Sequence, residues 1–420
     1  MLRFYSPTSK NIMLHFMHSI LKQPLDGRPP LQPGYFYSLD VARGLAALAV
    51  VLWHWQHFFF DDALPGTAFV RDAQPFYGVL ALFYEKGWLA VDFFFALSGF
   101  VFCCLYARPI HQRRVDARTF FLLRLSRLYP LHLATLLLVA GLQWQQIRSQ
   151  GDYFVYQLND AYHFVLNLFF ASAWGLEKGF SFNAPIWSVS IEVLLYGLFF
   201  CMARLFHLRA RHALLLAVMG WIVQGHFELF GRGLFAFHVG ALVYFAYQAL
   251  LARGLVHQYA RPMLLICLAA WLLTLLEFRQ GGLQLLLDQH CEGSCAGPGF
   301  DRLKIFWATG VLLPCTILAL ALSETLSKGR WQSLSWLGDI SYASYLLHFP
   351  LQLVFFMFCG NALSDRAIFY SPVLWCGYFV LLIALSLGAY RYFERPVQRW
   401  IRQSSLKDSN RRLPHETQQP

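Results

Sequence analysis

The sequence predicts an all-α protein, a polytopic bundle of transmembrane helices. Of its 420 residues, 57% are hydrophobic and only 14% are charged, whereas soluble domains carry about 25% charged residues. Aromatic residues make up 17%, led by 40 Phe. A soluble fold of this length could not bury so many apolar side chains. The composition therefore argues against a soluble enzyme, a disordered chain and a coiled coil.

Ten apolar runs are long enough to cross a bilayer, which requires about 20 mostly apolar residues. These runs are 41–60, 86–106, 122–144, 186–203, 212–228, 233–251, 262–278, 305–324, 338–359 and 371–392. They divide the chain into a cytoplasmic N-terminal segment (1–34), a membrane domain (35–400) and a polar cytoplasmic tail (401–420). An eleventh apolar stretch, 161–175, is shorter, and its hydrophobicity alone does not decide whether it crosses.

The basic residues decide the orientation of the runs. If ten runs cross and 161–175 does not, 25 of the 34 Lys and Arg residues fall on the side of the N-terminus. Cytoplasmic loops carry such an excess. A crossing at 161–175 would instead place Arg204, Arg209 and Arg211 outside. We therefore predict ten spans with both termini in the cytoplasm. The net charge of +11 reflects this bias, and no basic stripe predicts nucleic-acid binding.

The Gly-rich loop 279–304 is expected on the outer side, where a Cys291–Cys295 disulfide can form. The spacing of these cysteines, CEGSC, is too isolated for a zinc site. The sequence also has no H-E-x-x-H motif and no Walker A loop. We expect no metal site and no permanently bound cofactor.

The first run carries two ionisable residues, which are costly inside a membrane and usually functional. Arg43 and His54 are eleven residues apart, so three helical turns return both side chains to one face, about 16 Å apart along the axis. Arg43 is expected at the cytoplasmic boundary and His54 near mid-depth. The alternative is a snorkelling arginine and a buried histidine that hydrogen-bonds to a neighbouring helix.

An arginine pair occupies the cytoplasmic end of the third run. Arg124 and Arg127 are three residues apart and therefore share one helical face. Their forked guanidinium groups suit phosphate oxygens. The alternative is an ordinary basic flank that contacts lipid headgroups.

Further polar residues lie within later runs. Asp92, in VDFFFALSGF, and Glu192, in APIWSVSIE together with Ser188, are expected toward the outer side. Tyr345 and His348, in ISYASYLLH, are expected at mid-depth. These residues are suited to a ligand path. Structural ion pairs or hydrogen bonds within the core are an equally good explanation.

Taken in order, these motifs resemble the acyltransferase-3 family of integral membrane acyltransferases. Arg43-x10-His54, Arg124-x-x-Arg127 and the three quoted segments carry the resemblance, from Ser38 to about Pro396. The resemblance implies transfer of an acyl group, often acetyl, from cytoplasmic acyl-CoA to a hydroxyl. The implied acceptor is a cell-surface glycan, a lipid-linked sugar or another carbohydrate-like molecule. The implied location is the bacterial inner membrane.

The resemblance also implies roles for individual residues, and their chemistry agrees. Arg43, Arg124 and Arg127 are expected to bind the phosphates of acyl-CoA through bidentate hydrogen bonds. His54, with Arg43 as its motif partner, is expected to take the proton of the attacking hydroxyl. An acylated Ser or Tyr intermediate remains an alternative to direct transfer. The expected acceptor path consists of Asp92, Glu192, Ser188, Tyr345 and His348.

Two other classes of protein remain open at this stage. A transporter or flippase for a polar substrate would also carry charges within its spans, although no repeat symmetry or paired broken helices are evident. A structural membrane subunit is the other alternative. Transfer or hydrolysis of acyl-CoA by the purified protein would discriminate among them.

Overall fold

The computed structural model describes residues 35–61, 64–66, 69–281, 298–327, 329–359 and 363–411. Cys291 and Cys295, and with them the predicted disulfide, lie outside the described residues. Within these ranges the regular structure is helical apart from one short antiparallel pair of strands, β1 (Phe60–Asp61) and β2 (Leu64–Pro65). The predicted all-α class is therefore confirmed.

The helices follow the apolar runs, with longer or shorter ends. Over the described ranges the α-helices are α1 (Tyr37–His54), α2 (Tyr77–Lys86), α3 (Ala90–Phe102), α4 (Arg108–His111), α5 (Ala117–Gln150), α6 (Ala161–Leu168), α7 (Trp187–Leu205), α8 (Ala210–Val223), α9 (Glu228–Ala252), α10 (Val256–Gln280), α11 (Pro298–Phe306), α12 (Leu313–Ser327), α13 (Trp336–Asp339), α14 (Ser341–Cys359), α15 (Pro372–Ala389) and α16 (Arg395–Arg411).

Eight helical stretches of the described chain are long and apolar enough to cross a membrane. They are Tyr77–His111, Ala117–Gln150, Ala184–Leu205, Glu228–Ala252, Val256–Gln280, Phe300–Ser327, Ser341–Cys359 and Pro372–Ser404. A polytopic membrane protein is thus confirmed. The other two predicted runs correspond to α1, with 18 residues, and α8, with 14. The total of ten spans stays a prediction.

The stretch 161–175 contains only the eight residues of α6 as helix. Eight helical residues extend about 12 Å, which is far less than the hydrocarbon core of about 30 Å. The N-cap Asp160 accepts hydrogen bonds from the backbone N–H and Nδ1 of His163, both at 2.8 Å. These two bonds hold the pKa of the Asp160 carboxyl below its ordinary value. A well-capped helix of about two turns is consistent with a surface or re-entrant helix.

The described helices form two compact units. The first contains the chain up to Ala46, Lys86–Val115 and Leu194–Gly338. Its centre is the crossing of α3 and α9, where a Cβ on Gly99 would overlap the Phe237 carbonyl and a Cβ on Gly240 would overlap the Ala96 carbonyl. Only glycine at both positions allows the two backbones to approach so closely.

The second unit contains Ala47–Glu85, Asp116–Val193 and the chain from Asp339 onward. Here α14 packs against α5 and α15, and α16 packs against α5. Its core is mainly aromatic, with Trp55, Phe58 and Tyr378 fully buried. The Trp55 indole donates a hydrogen bond to the Phe369 carbonyl at 3.1 Å, so its polar group is satisfied within this core.

Candidate active site

Three histidine side chains meet inside the second unit. His54 is the last residue of α1, His57 follows on the 3-10 turn Trp55–Phe59, and His348 lies on α14. The rings of His54 and His57 have centroids 4.7 Å apart, and those of His54 and His348 are 4.8 Å apart. All three side chains are buried, His348 completely.

Backbone carbonyls fix the tautomers of two of these histidines. The Nδ1 of His54 lies 3.0 Å from the Val50 carbonyl oxygen, and the Nδ1 of His348 lies 2.6 Å from that of Tyr345. A carbonyl oxygen can only accept, so each Nδ1 carries the proton. The Nε2 of both rings therefore carries a lone pair. A neutral imidazole in this tautomer can take a proton at Nε2.

The amide of Gln352 assigns the same tautomer to His57. Its Nε2 donates to the His54 carbonyl at 2.8 Å, which leaves its Oε1 to accept from His57 Nδ1 at 3.3 Å. The Tyr156 hydroxyl then donates to His57 Nε2 at 3.5 Å. Of the three Nε2 atoms, that of His57 already has a hydrogen-bond donor beside it.

The predicted acceptor-path residues Ser188, Tyr345 and His348 are neighbours in this unit. The Tyr345 hydroxyl donates to the Pro185 carbonyl at 2.6 Å and lies 2.8 Å from Ser188 Oγ. His348 is one turn further along α14. The start of α7 is thus fixed against the helix that carries His348.

Glu192 lies further along α7 and approaches the arginine pair. Both Glu192 and Arg127 are within electrostatic range of Tyr342. The Tyr342 hydroxyl donates to the Leu128 carbonyl of α5 at 2.6 Å. Glu192 and Arg127 thus both interact electrostatically with Tyr342, and the place of Glu192 on the acceptor path stays a prediction.

A third arginine joins Arg124 and Arg127 in the second unit. Arg402, on α16, donates to the Leu123 carbonyl at 3.0 Å and to Ser126 Oγ at 3.2 Å. These two acceptors belong to the turns of α5 that carry the arginine pair. Three guanidinium groups therefore gather at one end of α5.

Arg43 forms an ion pair and a hydrogen bond in the first unit. Its guanidinium forms an ion pair with Asp40 at 2.8 Å and donates to the Gly338 carbonyl at 2.7 Å. A Cβ on Gly338 would overlap Asp40, so glycine there permits this close arrangement. The helix α1 carries both Arg43 and His54, as the sequence predicted.

Asp92 is also paired in the first unit. Its two carboxylate oxygens accept from Arg232 Nε at 2.9 Å and from Arg232 Nη2 at 2.7 Å. The Arg232 guanidinium stacks on the Trp88 ring, 4.6 Å from its centroid, and donates to the Trp88 carbonyl at 2.8 Å. The Asp92 side chain is only 2% exposed, so its charge is compensated by a bidentate structural partner.

Comparison with known proteins identifies the family. The acyltransferase-3 family, described as an acyltransferase domain, matches residues 36–391. The chain belongs to this family. A protein of Komagataeibacter xylinus that is named for membrane-bound transacylase activity, BcsY, is 26% identical over 384 residues, 85% of this chain and 81% of that protein. The predicted membership is confirmed, and the protein is a membrane acyltransferase.

A second relative is similar over a shorter segment. It is named protein 2 in the picA locus of Rhizobium radiobacter and is 35% identical over 109 residues. The match spans 26% of this chain and 46% of that protein. No solved structure matches the chain at a significant level.

Sequence reasoning missed several polar residues of this acyltransferase that contact the histidine cluster. Gln352 and Tyr156 bind His57, and Asn183 donates to the Leu346 carbonyl of α14 at 3.0 Å. Within the described ranges, neither Asn183 Oδ1 nor His348 Nε2 has a hydrogen-bond partner, although both atoms are buried. Two unpaired buried acceptors are suited to a ligand that brings hydroxyl donors. In the sequence, the short spacing between His54 and His57 was the one indication of a histidine cluster.

Strained backbone flanks the cluster on two loops. Val155, which precedes Tyr156, has φ 62°, and Phe182, which precedes Asn183, has φ 48°. A non-glycine residue with positive φ is uncommon and costs about 1–3 kcal/mol. Such strain persists only where the surrounding structure enforces it, and here it flanks the two polar side chains that contact His57 and α14.

The histidine cluster does not have the form of a metal centre. Over the described part of the chain, no group of three or more His, Cys, Asp or Glu side chains could hold a metal ion. The Nδ1 atoms of His54 and His348 already donate to backbone carbonyls. The Nε2 atoms of these two rings can accept protons.

Proposed function

We propose that this membrane acyltransferase moves an acetyl group from acetyl-CoA to a hydroxyl of a carbohydrate acceptor. The observation that carries the proposal is the buried histidine cluster, in which backbone bonds leave the Nε2 lone pairs of His54 and His348 available. A hydroxyl that attacks a thioester needs a base near its proton. Neutral imidazole is the side chain best suited to that task.

The proposed reaction is a direct transfer with His54 as the general base. The acceptor hydroxyl gives its proton to His54 Nε2 as its oxygen attacks the thioester carbonyl carbon. The carbon–sulfur bond breaks, and the CoA thiolate leaves. His54 then returns the proton to the sulfur, so the site is restored and the products are an ester and CoA.

His348 and Asn183 support the acceptor in this proposal. Their unpaired atoms, Nε2 and Oδ1, can accept hydrogen bonds from other hydroxyl groups of a sugar ring. Tyr345 and Ser188 hold the surrounding backbone at Pro185. Asp92 and Glu192 also belong to the proposed acceptor path. Aromatic residues such as Trp55 and Phe349 keep the cluster buried, which limits hydrolysis of the thioester by water.

The donor phosphates are proposed to bind the arginine group at the end of α5. Arg124 and Arg127 supply planar forks that match phosphate oxygens, and Arg402 adds a third guanidinium beside Leu123 and Ser126. Arg43 is also proposed to contact the donor phosphates, since its side chain remains 23% exposed. The proposed donor is a substrate, and no permanently bound cofactor is required.

The proposed acceptor is a cell-surface glycan or a lipid-linked sugar, and the proposed location is the inner membrane of a bacterium. The abundance of apolar helices supports direct contact with membrane lipids. The name of the BcsY relative supports transacylation at a membrane. The donor, the acyl group and the acceptor are each open to direct measurement.

Two experiments test the proposal. Purified protein in detergent should release CoA from acetyl-CoA when an acceptor glycan is present, as measured by a thiol reagent. Mass spectrometry of surface glycans from wild-type and deletion strains should show loss of an acetyl mass in the deletion strain. Thiol release equal to that of a His54→Ala protein, together with unchanged glycans, would reject acetyl transfer and would favour a transporter.

A further inference from the structure

Glu394 is a buried carboxylate for which the proposed reaction has no use. It is 8% exposed and ends the π-helical turn Tyr390–Glu394, between α15 and α16. Its Oε1 has no hydrogen-bond partner within the described residues. A buried polar atom without a partner costs free energy, and π-helical turns are frequent at functional sites.

The surroundings of Glu394 connect it with the proposed donor site. The π-helical turn packs against α5, the helix of the arginine pair. Arg127 and Asp339 are the charged groups within electrostatic range of Glu394. No ion pair joins Glu394 to an arginine in the described part of the protein. Glu394 therefore lies close enough to Arg127 for their charges to interact, without a direct ion pair between the two side chains.

Neighbouring contacts attach the surroundings of Glu394 to α5. The Tyr342 hydroxyl, within range of both Glu394 and Arg127, is fixed on the Leu128 carbonyl at 2.6 Å. Arg402 of α16 is fixed on Leu123 and Ser126. The chain that follows Glu394 is thus attached to α5, and the π-helical turn that ends at Glu394 also packs against α5.

We propose that Glu394 weakens the hold of the arginine pair on the phosphates of the donor and of CoA, and so speeds the release of CoA. This inference rests on the proposed use of acyl-CoA. The donor and the CoA product carry the same phosphates, so a site that binds one strongly also retains the other. A nearby negative charge lowers the positive potential that both molecules feel. Because product release can limit turnover, weaker retention favours a faster cycle.

The proposal predicts an unusual kinetic signature for Glu394→Gln, which keeps the shape of the side chain and removes its charge. In the full-length protein, KM for acetyl-CoA and the inhibition constant of CoA should both fall about fivefold, because loss of a nearby negative charge strengthens the attraction between the arginines and the phosphates. The kcat value should fall as well, because CoA leaves more slowly. With S-acetyl-pantetheine, which lacks the nucleotide phosphates, neither KM nor kcat should change.

Asp152→Asn provides a matched control. Asp152 is an exposed carboxylate just beyond the other end of α5, and about 35 Å of helix separates that end from the arginine pair. Its variant should keep wild-type constants with both donors.

The outcomes separate this inference from the proposed function. If the wild type does not use acetyl-CoA, the proposed function fails and the inference fails with it. If the wild type uses acetyl-CoA and Arg127→Gln weakens CoA binding, unchanged or weaker CoA binding in Glu394→Gln overturns the inference alone. Equal changes with both donors would show a structural role. Should Glu394→Gln not fold, Glu394→Asp keeps the charge and must retain the wild-type KM; a lowered KM would contradict the electrostatic role.

Discussion

His54 and His348 face each other with ring centroids 4.8 Å apart, and each ring donates its Nδ1 proton to the backbone of its own helix. Both therefore present Nε2 to the interior of the second unit. Two imidazolium ions at this separation would repel strongly in a buried site. The pair is consequently suited to hold one proton at a time, as a single hydroxyl deprotonation requires.

The first prediction concerns the base. His54→Ala should reduce kcat at least 100-fold, because general base catalysis contributes about 10²–10⁴-fold, while CoA binding persists. His348→Gln should have a smaller effect and should mainly raise KM for the acceptor. Thiol release and isothermal titration with CoA measure the two quantities.

An exposed histidine of the first unit supplies the control for the base. His257 lies near the start of α10, and His257→Ala should retain wild-type turnover. Near-normal turnover in His54→Ala would instead move the base to another group, and His348 would be the first residue to test.

The second prediction concerns the donor phosphates. Arg124→Ala and Arg127→Ala should each weaken CoA binding by about 1.5–3 kcal/mol, the range for charge-assisted hydrogen bonds. Binding of S-acetyl-pantetheine should change little. Arg43→Ala and Arg402→Ala should show whether these arginines contribute to the same site.

Arg148 is the matched control for the arginine pair, since it lies on the same helix and its guanidinium stacks on Trp144, 3.9 Å from the ring centroid. Arg148→Ala should bind CoA as the wild type does. If all the arginine variants at the other end of α5 also bound CoA normally, the donor site would have to lie elsewhere.

The sequence predicted local features well and distant contacts poorly. The Arg43–His54 helix and the Arg124–Arg127 pair follow from helical spacing, and the structure has both. Spacing within one helix says nothing about a partner on another helix, so the contact of His54 with His348 was not predictable. Arg402 and Glu394 were missed for a different reason. Both lie in or near a basic tail, where the positive-inside rule already explains the charges.

The sequence also could not show the partner of Asp92, because that partner lies on another helix. From the sequence, a carboxylate inside a span requires a cationic partner or a function, and nothing in the local pattern indicates Arg232. The structure supplies that partner through a bidentate pair. Whether Asp92 also contacts the acceptor therefore becomes a question for mutagenesis.

The third prediction separates these two roles of Asp92. Asp92→Ala leaves the buried Arg232 without its partner and should destabilise the protein by about 3–5 kcal/mol, measured as a lower melting temperature in detergent. Asp92→Ala combined with Arg232→Met removes both charges and should recover most of the stability. We expect the double variant to be active. A stable but inactive double variant would support the acceptor-path role that the sequence suggested.

The last prediction concerns the topology around stretch 161–175. After α6, the chain is tied to the first turns of α7: the Ser190 hydroxyl donates to the Phe170 carbonyl and accepts from the Ala173 N–H at 3.1 Å. The Trp174 indole also donates to the Ser190 carbonyl at 3.0 Å. Stretch 161–175 therefore contains only eight helical residues before it is bound to the start of α7. That is too short to cross the membrane.

Reporter fusions test this prediction at two positions. Fusions after Ala210 should be cytoplasmic, and fusions near Asp288, which lies outside the described residues, should be external. These positions follow from ten spans, because 25 of the 34 basic residues then face the cytoplasm. An externally active reporter after Ala210 would mean that stretch 161–175 crosses the membrane. The acceptor role of Glu192 would then be lost, whereas the donor roles of the arginines that precede the stretch would stand.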